Sequence, residues 1–353
     1  MSFAGQSSSP FGAFVESPFH ARGGGVDDIY VCGVSMGVRA FRVNADNTGM
    51  DELWGHEITT SYKRVMVSDS YVAAVTAAKL VVLDKAAGTL IWSSIPAGVT
   101  LFSCFIRGDF YYACGTSGGL PWLRKYDDAG ATVWTFTPAT GIDAQSMWVD
   151  ADETVWLNCR TTLGGGSVSK VFEVDSTGVE VSAFTTEDSF RDMWMLSGGD
   201  LVMVGGNNVG GTADVIYRYQ QDGTLVWDTA GPTPGESLIL KVVADSDETE
   251  LLSGRRLSVA SDAWAYVGHQ VSNGTVLRSV FVPPSGGGVT PAKIETVDVS
   301  QFSTDLFVGG RRCVGGTHNN KNLFRVTRAG VIVWSATVNT STTDIDDITT
   351  QVR

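Results

Sequence analysis

The sequence predicts an all-β protein, a seven-bladed β-propeller with four antiparallel strands per blade, its ring closed by a C-terminal strand pairing into blade one. Three observations predict it. A hairpin phrase recurs seven times along the chain. Each interval between copies holds two further strand-like runs. No long window repeats apolar residues at i, i+3, i+4 and i+7, the spacing of an amphipathic helix.

The phrase is clearest at Ile216-Tyr217-Arg218-Tyr219-Gln220-Gln221-Asp222-Gly223-Thr224-Leu225-Val226-Trp227. A β-rich run meets an Asp-Gly turn, where glycine accepts a positive φ without steric cost, and a second β-rich run ends in Trp. Val81–Asp84 leads likewise to Gly88 and Trp92, Leu123–Asp127 to Gly130 and Trp134, and Leu323–Val326 to Gly330 and Trp334. Phe41–Val43 leads to Gly49 and Trp54 with one extra residue. Two degenerate copies are anchored on Gly178, with Ser182 in the Trp slot, and on Gly274, with Arg278 there. The anchors are spaced from 39 residues (Gly49 to Gly88) to 56 (Gly274 to Gly330), inside the range of propeller and solenoid repeats. Arg191–Leu196 and Leu201–Val204 supply the two extra strands of the fifth unit, and Leu240–Ala244 and Glu250–Leu252 those of the sixth. Four short strands per unit with turn residues between them make a propeller blade.

The first unit starts short. Asp28–Val31, Val38–Val43 and Asp51–Trp54 read as the second, third and fourth strands of a blade that lacks its innermost one. Residues 344–352, Asp-Ile-Asp-Asp-Ile-Thr-Thr-Gln-Val, fall where an eighth unit would place its first strand. They are expected to pair into blade one and close the ring, removing open strand edges. Residues 1–26 differ in kind: polar and broken by Pro10 and Pro18, they carry Phe3, Phe11, Phe14 and Phe19. The segment reads either as a disordered tail or, since such tails are poor in aromatics, as an extended arm that docks on a neighbouring subunit or on the propeller's own flank, with residues 27–353 forming the propeller.

The motif apolar-x-Asp-x-x-Gly-x-x-x-Trp resembles the quinoprotein-type (PQQ-type) propeller repeat. The stretch Asp200-Leu201-Val202-Met203-Val204-Gly205-Gly206 followed by Tyr217–Gly223 is similar to bacterial propeller repeats of the "lvaG…larl..dG" type. The resemblance covers roughly residues 28–340 and implies the fold. Enzymes of the quinoprotein family carry a pair of adjacent cysteines near the quinone. Cys32, Cys104, Cys114, Cys159 and Cys313 include no such pair, so neither that cofactor nor dehydrogenase activity is implied, and no cofactor is expected.

A net charge of −13 disfavours nucleic acid and anionic membrane surfaces as partners. The odd cysteine count without Cys-x-x-Cys spacing predicts buried free thiols. The N-terminus shows neither a basic nor a continuous apolar signal region, which predicts synthesis in the cytoplasm without export by the usual route.

Candidate chemistry is sparse. His20, His56, His269 and His318 fall in the arm, linkers and loops without metal-type spacing, so no metal or catalytic residue is assigned. Asp150-Ala151-Asp152-Glu153 and Asp245-Ser246-Asp247-Glu248 read as Asp-rich turns rather than calcium loops. Trp54, Trp92, Trp134, Trp227 and Trp334, repeating once per blade, read as wedge fillers between blades, as do Trp148 and Trp194. The innermost strands begin with polar residues, namely Lys63 and Arg64, Gln145 and Ser146, Arg191 and Asp192, Lys241, Glu295, and Asp346 and Asp347. From these, Arg64, Arg191, Asp192, Lys241, Glu295 and Asp347 are expected to ring the channel mouth, read first as the wall of a water-filled channel and second as a ligand site.

The functional expectation is a structural or interaction module without enzymatic activity, its partners other protein subunits of a larger assembly. The arm-plus-propeller organisation resembles propeller proteins of bacteriophage particles, in the tail or on the capsid, which implies residence in a virion; the alternative location is the cytoplasm. The alternative function is a glycan-binding or polysaccharide-cleaving propeller that recognises a receptor glycan, with Trp122 or Tyr62 stacking on sugars. A third reading is an assembly scaffold of the periplasmic type.

Overall fold

The computed structural model describes residues 27–46, 48–57, 60–163, 166–206, 214–230, 239–245, 247–256, 264–281, 294–299, 305–310, 322–338 and 345–352. Among the described residues the regular elements are 28 strands in seven four-stranded antiparallel sheets. Six sheets use four consecutive strands each. The remaining one, blade one, runs in the order Ile345–Val352, Asp27–Gly33, Gly37–Val43, Met50–His56. The last strand of the chain is thus the innermost strand of the first blade, registered from Val352 opposite Asp27 to Ile345 opposite Gly33. The seven innermost strands pack on one another in succession around the axis, the seventh on the first. The expected seven-bladed ring and its closure are both present. Closing a loop of nearly the whole chain is tolerable because its entropic penalty grows only logarithmically with length.

The blades stack face to face, so the core is divided into seven apolar clusters, one in each joint. Strand alternation deals residues to the two joints in turn. In Leu80–Asp84, Val81 and Leu83 enter the joint with blade one while Leu80 and Val82 enter the joint with blade three. Tyr30 and Cys32 face one way, Ile29 and Val31 the other. A strand covered on both faces has no polar side, which is why these runs are almost continuously apolar.

The recurring glycine and Trp belong to one device. Gly88 holds a φ of 67° at its turn, and a Cβ there would come within 2.4 Å of the Trp54 ring of the preceding blade. Trp54 Nε1 in turn donates to the Lys85 carbonyl at 2.8 Å. The same lock joins Trp134 to the turn at Gly178, through the Ser176 carbonyl, and Trp227 to the turn at Gly274, through the Val271 carbonyl. In blade four, where Ser182 stands in the Trp slot, Phe184 packs against Gly223 instead. In blade six Arg278 replaces the Trp. Its Nη1 donates to the Arg328 carbonyl of the next blade at 3.0 Å, and its Nε pairs with the buried Glu250 at 2.7 Å. Arg328 joins that carboxylate at 2.6 Å. The Trp slot is therefore the fastening between blades, and an ion-pair cluster can take its place. Trp148 and Trp194 pack on each other across the joint of blades four and five, ring centroids 4.9 Å apart.

Several local readings are corrected. His269 is not in a loop: it is fully buried on the strand Trp264–Gln270, with Nδ1 3.1 Å from the Gly274 carbonyl. Trp122 and Tyr62, expected to be exposed, are buried. Trp122 lies on the strand Leu120–Tyr126 under the Arg124 guanidinium, and Tyr62 donates its hydroxyl to Glu57 at 2.8 Å. Both sit on or beside strands whose two faces are covered, so an aromatic there packs in a joint. The Asp-rich stretches do act as turns: Asp245 accepts the N–H groups of Thr249 and Glu250, and Asp150 accepts the indole N–H groups of Trp148 and Trp156.

Candidate functional site

The axial mouth is built by one backbone irregularity repeated around the ring. In six innermost strands the register slips near the first residues, leaving Phe102, Gln145, Arg191, Leu240, Glu295 and Asp346 without a cross-strand partner. In blade two Lys63 takes the equivalent place, its N–H donating to the Val75 carbonyl just before Arg64 pairs with Val75. A β-bulge inserts an unpaired residue and re-aims its side chain. Five of these seven positions, Lys63, Phe102, Gln145, Arg191 and Asp346, line a cavity of about 220 Å³ together with Arg64 and Ser103. The side chains of Leu240 and Glu295 lie outside the described residues.

The residue after each bulge turns into the joint: Arg64, Ser103, Ser146, Asp192, Lys241, Thr296 and Asp347. Three of these side chains fasten onto the next blade. Asp192 accepts the N–H of Val242 at 3.1 Å, Asp347 that of Val65 at 3.0 Å, and the Thr296 hydroxyl that of Ile348 at 3.2 Å. Four charges interlock across this layer. Arg64 Nη2 meets Asp192 at 2.6 Å and its Nε lies 3.6 Å from Asp347. Lys241 Nζ meets Asp347 at 2.6 Å and also donates to the Ile348 carbonyl. The side chains of Asp192 and Asp347 are each 1% exposed. Burial works against the Arg64 guanidinium, but Asp192 and Asp347 outweigh it and hold its pKa above the ordinary value. Close by, the buried Asp298 accepts the N–H groups of Val299 and of Thr350 on the closing strand. Burial lifts its pKa to about 6, against Lys241 and those two N–H groups.

Of the residues expected at the mouth, the structure brings Arg64, Asp192, Lys241 and Asp347 together in the joint layer, with Arg64 also reaching the cavity. Arg191 lines the cavity, and Glu295 is at its bulge position on the strand Ile294–Val299. Phe3, Phe11, Phe14 and Phe19 lie outside the described residues, as does Cys313. Phe102 and Ser103 were not anticipated, because a phenylalanine in the bulge slot breaks the polar pair that marks the position elsewhere. The remaining signal is positional, since Phe102 follows the turn glycine Gly88 by 14 residues, as Lys63 follows Gly49.

Two cations in the cavity keep weak company. Lys63 Nζ donates to the Leu101 carbonyl at 3.3 Å and sits 4.6 Å from the Phe102 ring centre. Burial pushes its pKa down, with Asp346 opposing. Arg191 Nη1 donates to Gln145 Oε1 at 3.2 Å. Burial and then Arg160 depress its pKa, with Asp143 opposing. Gln145 is held in turn by Asp143 at 2.5 Å, and Asp143 by Arg160. The cavity thus offers an ammonium, a guanidinium, an amide, a hydroxyl and a carboxylate, a set suited to binding a polar anion. The nearby Cys104 and Cys114 are buried, and burial pushes both thiols up, that of Cys114 to about 12, so neither supplies a thiolate. Among the described residues no cluster of three or more His, Cys, Asp or Glu could hold a metal ion.

Neither a protein-family model nor a curated protein matches the sequence. Solved structures share the fold. A putative 6-phosphogluconolactonase from Bacteroides fragilis is 16% identical, with a TM-score of 0.61 over 92% of this chain and 98% of its own. One from Bacteroides uniformis is 15% identical, with a TM-score of 0.59 over 94% and 100%. BamB from Moraxella catarrhalis is 15% identical over 87% of both chains, at a TM-score of 0.47. The expectation that the chain is not an enzyme is corrected by the first two: structures that share this fold include two described as putative 6-phosphogluconolactonases. The expectation rested on a sparse set of histidines and cysteines, and a fold does not fix or exclude an activity. At these identities the likeness is one of fold.

Proposed function

We propose that the protein is an interaction module, a rigid propeller that docks through its rim onto other protein subunits of a larger assembly. The observation that supports this reading is on the outermost strands. Every blade has a second bulge there, one residue before the Trp slot, and its unpaired residue is aliphatic: Leu53, Ile91, Val133, Val181, Val226, Leu277 and Val333. All seven are exposed, from 39% for Leu53 to 59% for Val181. Proteins usually protect open sheet edges with charged residues, especially lysine. Here the repeated edge position is aliphatic in every blade, which suits contact with another protein. Residues 1–26, with Phe3, Phe11, Phe14 and Phe19, serve in this proposal as the tether, and a phage particle is the kind of assembly that the organisation of the sequence resembles. A receptor-glycan role has less support, since Trp122 and Tyr62 are buried.

The test is made in the native source at native expression. Mild crosslinking followed by size separation should place the full chain in a complex heavier than one chain. Replacing Val133, Val181 and Val226 together by Lys should release it as a single chain with its thermal midpoint preserved, and deleting residues 1–26 should weaken retention. A wild-type chain that runs alone would contradict the proposal.

A further inference from the structure

The mouth cavity has a composition of its own, independent of the rim. Directly beneath it, Arg64 and Lys241 are matched by Asp192 and Asp347. That layer is neutral in sum and fully engaged in holding blades together. Above it, the described charges left to the cavity are Lys63, Arg191 and Asp346. Two described cations face one described carboxylate, on a chain whose net charge is −13, and Glu295, whose side chain lies outside the described residues, stands at a further bulge position. Lys63 reaches only a backbone carbonyl and an aromatic ring among the hydrogen bonds and ring contacts described. Arg191 reaches an amide oxygen. Neither makes an ion pair within 4.0 Å among the described residues, whereas Arg64, Lys125, Arg160 and Lys241 all do.

We infer that this cavity binds a small hydroxylated monocarboxylate, of the sugar-acid type. The carboxylate would accept charge-assisted hydrogen bonds from Lys63 Nζ and from the guanidinium edge of Arg191 that Gln145 leaves open. Hydroxyl groups would reach Ser103, Gln145 and Asp346, which between them both donate and accept. Phe102 supplies the apolar wall. Three arguments fix the class. A monoanion pairs with the two described cations, whereas a dianionic phosphate would bring a second negative charge beside Asp346 and the bulge that carries Glu295. A cavity of about 220 Å³ falls below the range of about 300–1,000 Å³ typical of drug-sized ligands, so the ligand is small. Burial already depresses the half-buried Lys63, so an anion that restores its charged form gains from desolvation that the fold has already imposed.

The test uses the full chain and calorimetric titration with gluconate, glucuronate, glucose and glucose 6-phosphate at low and high salt. The inference predicts binding of at least one of the two carboxylates, weaker at high salt, with glucose at least tenfold weaker. Arg191→Gln and Lys63→Gln, which leave the joint layer intact, should each weaken carboxylate binding at least tenfold with an unchanged thermal midpoint. No binding of either carboxylate at millimolar concentration would overturn the inference. So would binding that both variants retain, or tighter binding of glucose 6-phosphate, which would remove the charge-matching argument. None of these outcomes bears on the rim, so the site and the interaction proposal stand or fall separately.

Discussion

Arg191 and Asp192 are neighbours in the chain with opposite situations in the fold. Arg191 is exposed at the mouth and donates to a single amide oxygen. Asp192 is 1% exposed, holding Arg64 at 2.6 Å and the Val242 N–H at 3.1 Å. Asp346 and Asp347 divide in the same way, and so do Lys63 and Arg64 except that Arg64 reaches the cavity as well. The difference teaches what the bulge accomplishes. At five of the seven innermost strands it turns one side chain out of the ladder toward the mouth cavity, and it commits the next to the joint. A ring of seven blades thereby gains a ligand-facing layer without disturbing the layer that holds it closed.

The comparison breaks most severely at Asp347. Asp347→Ala leaves Lys241 and Arg64 short of a partner and the Val65 N–H unsatisfied, in the strand that closes the ring. Breaking a buried ion pair from one side costs about 3–5 kcal/mol, so urea unfolding should show a loss of that order. Next comes Asp298, which bonds the closing strand from blade seven. Its folded pKa of about 6 lies above the ordinary 3.8, so the native state binds this proton more tightly than the unfolded chain. The stability it contributes is full below about pH 4 and is lost as pH rises through 6, by up to about 3 kcal/mol. Unfolding curves from pH 4 to 7 should fall less steeply for Asp298→Asn than for the wild type.

A smaller effect extends the contrast from axis to rim. Gly178 has a φ of 87° and sits where a Cβ would come within 2.8 Å of the Trp134 ring. Gly178→Ala should therefore cost about 1–3 kcal/mol, measured as a shift of the urea midpoint at constant slope. Gly98→Ala, at a φ of 70° but with open space around it, bears the backbone strain alone and should cost less.

Much of this architecture is legible in the sequence. The turn glycines and the Trp four residues later are required by the lock between blades, so they recur and can be counted. The closing strand is legible because blade one lacks an inner strand and the C-terminal stretch has nowhere else to pair. What is not legible follows from bulges and from long-range contacts. A bulge moves a residue between layers without changing its type, so the polar pairs at 63–64, 191–192 and 346–347 do not say which member faces the axis. Phe102 carries no polar mark at all. Arg278 looks like a decayed Trp slot because its partner Glu250 lies 28 residues away and Arg328 belongs to the next blade. Tyr62 and Trp122 look like exposed aromatics only if one forgets that both faces of these sheets are covered.

The division of labour at the mouth is tested most directly by urea unfolding of Arg191→Ala and Asp192→Ala side by side. Asp192→Ala should lose about 3–5 kcal/mol, while Arg191→Ala should stay within about 0.5 kcal/mol of the wild type, as a surface substitution does. Equal losses, or a larger loss at Arg191, would contradict the assignment of one layer to the ligand and the other to the ring.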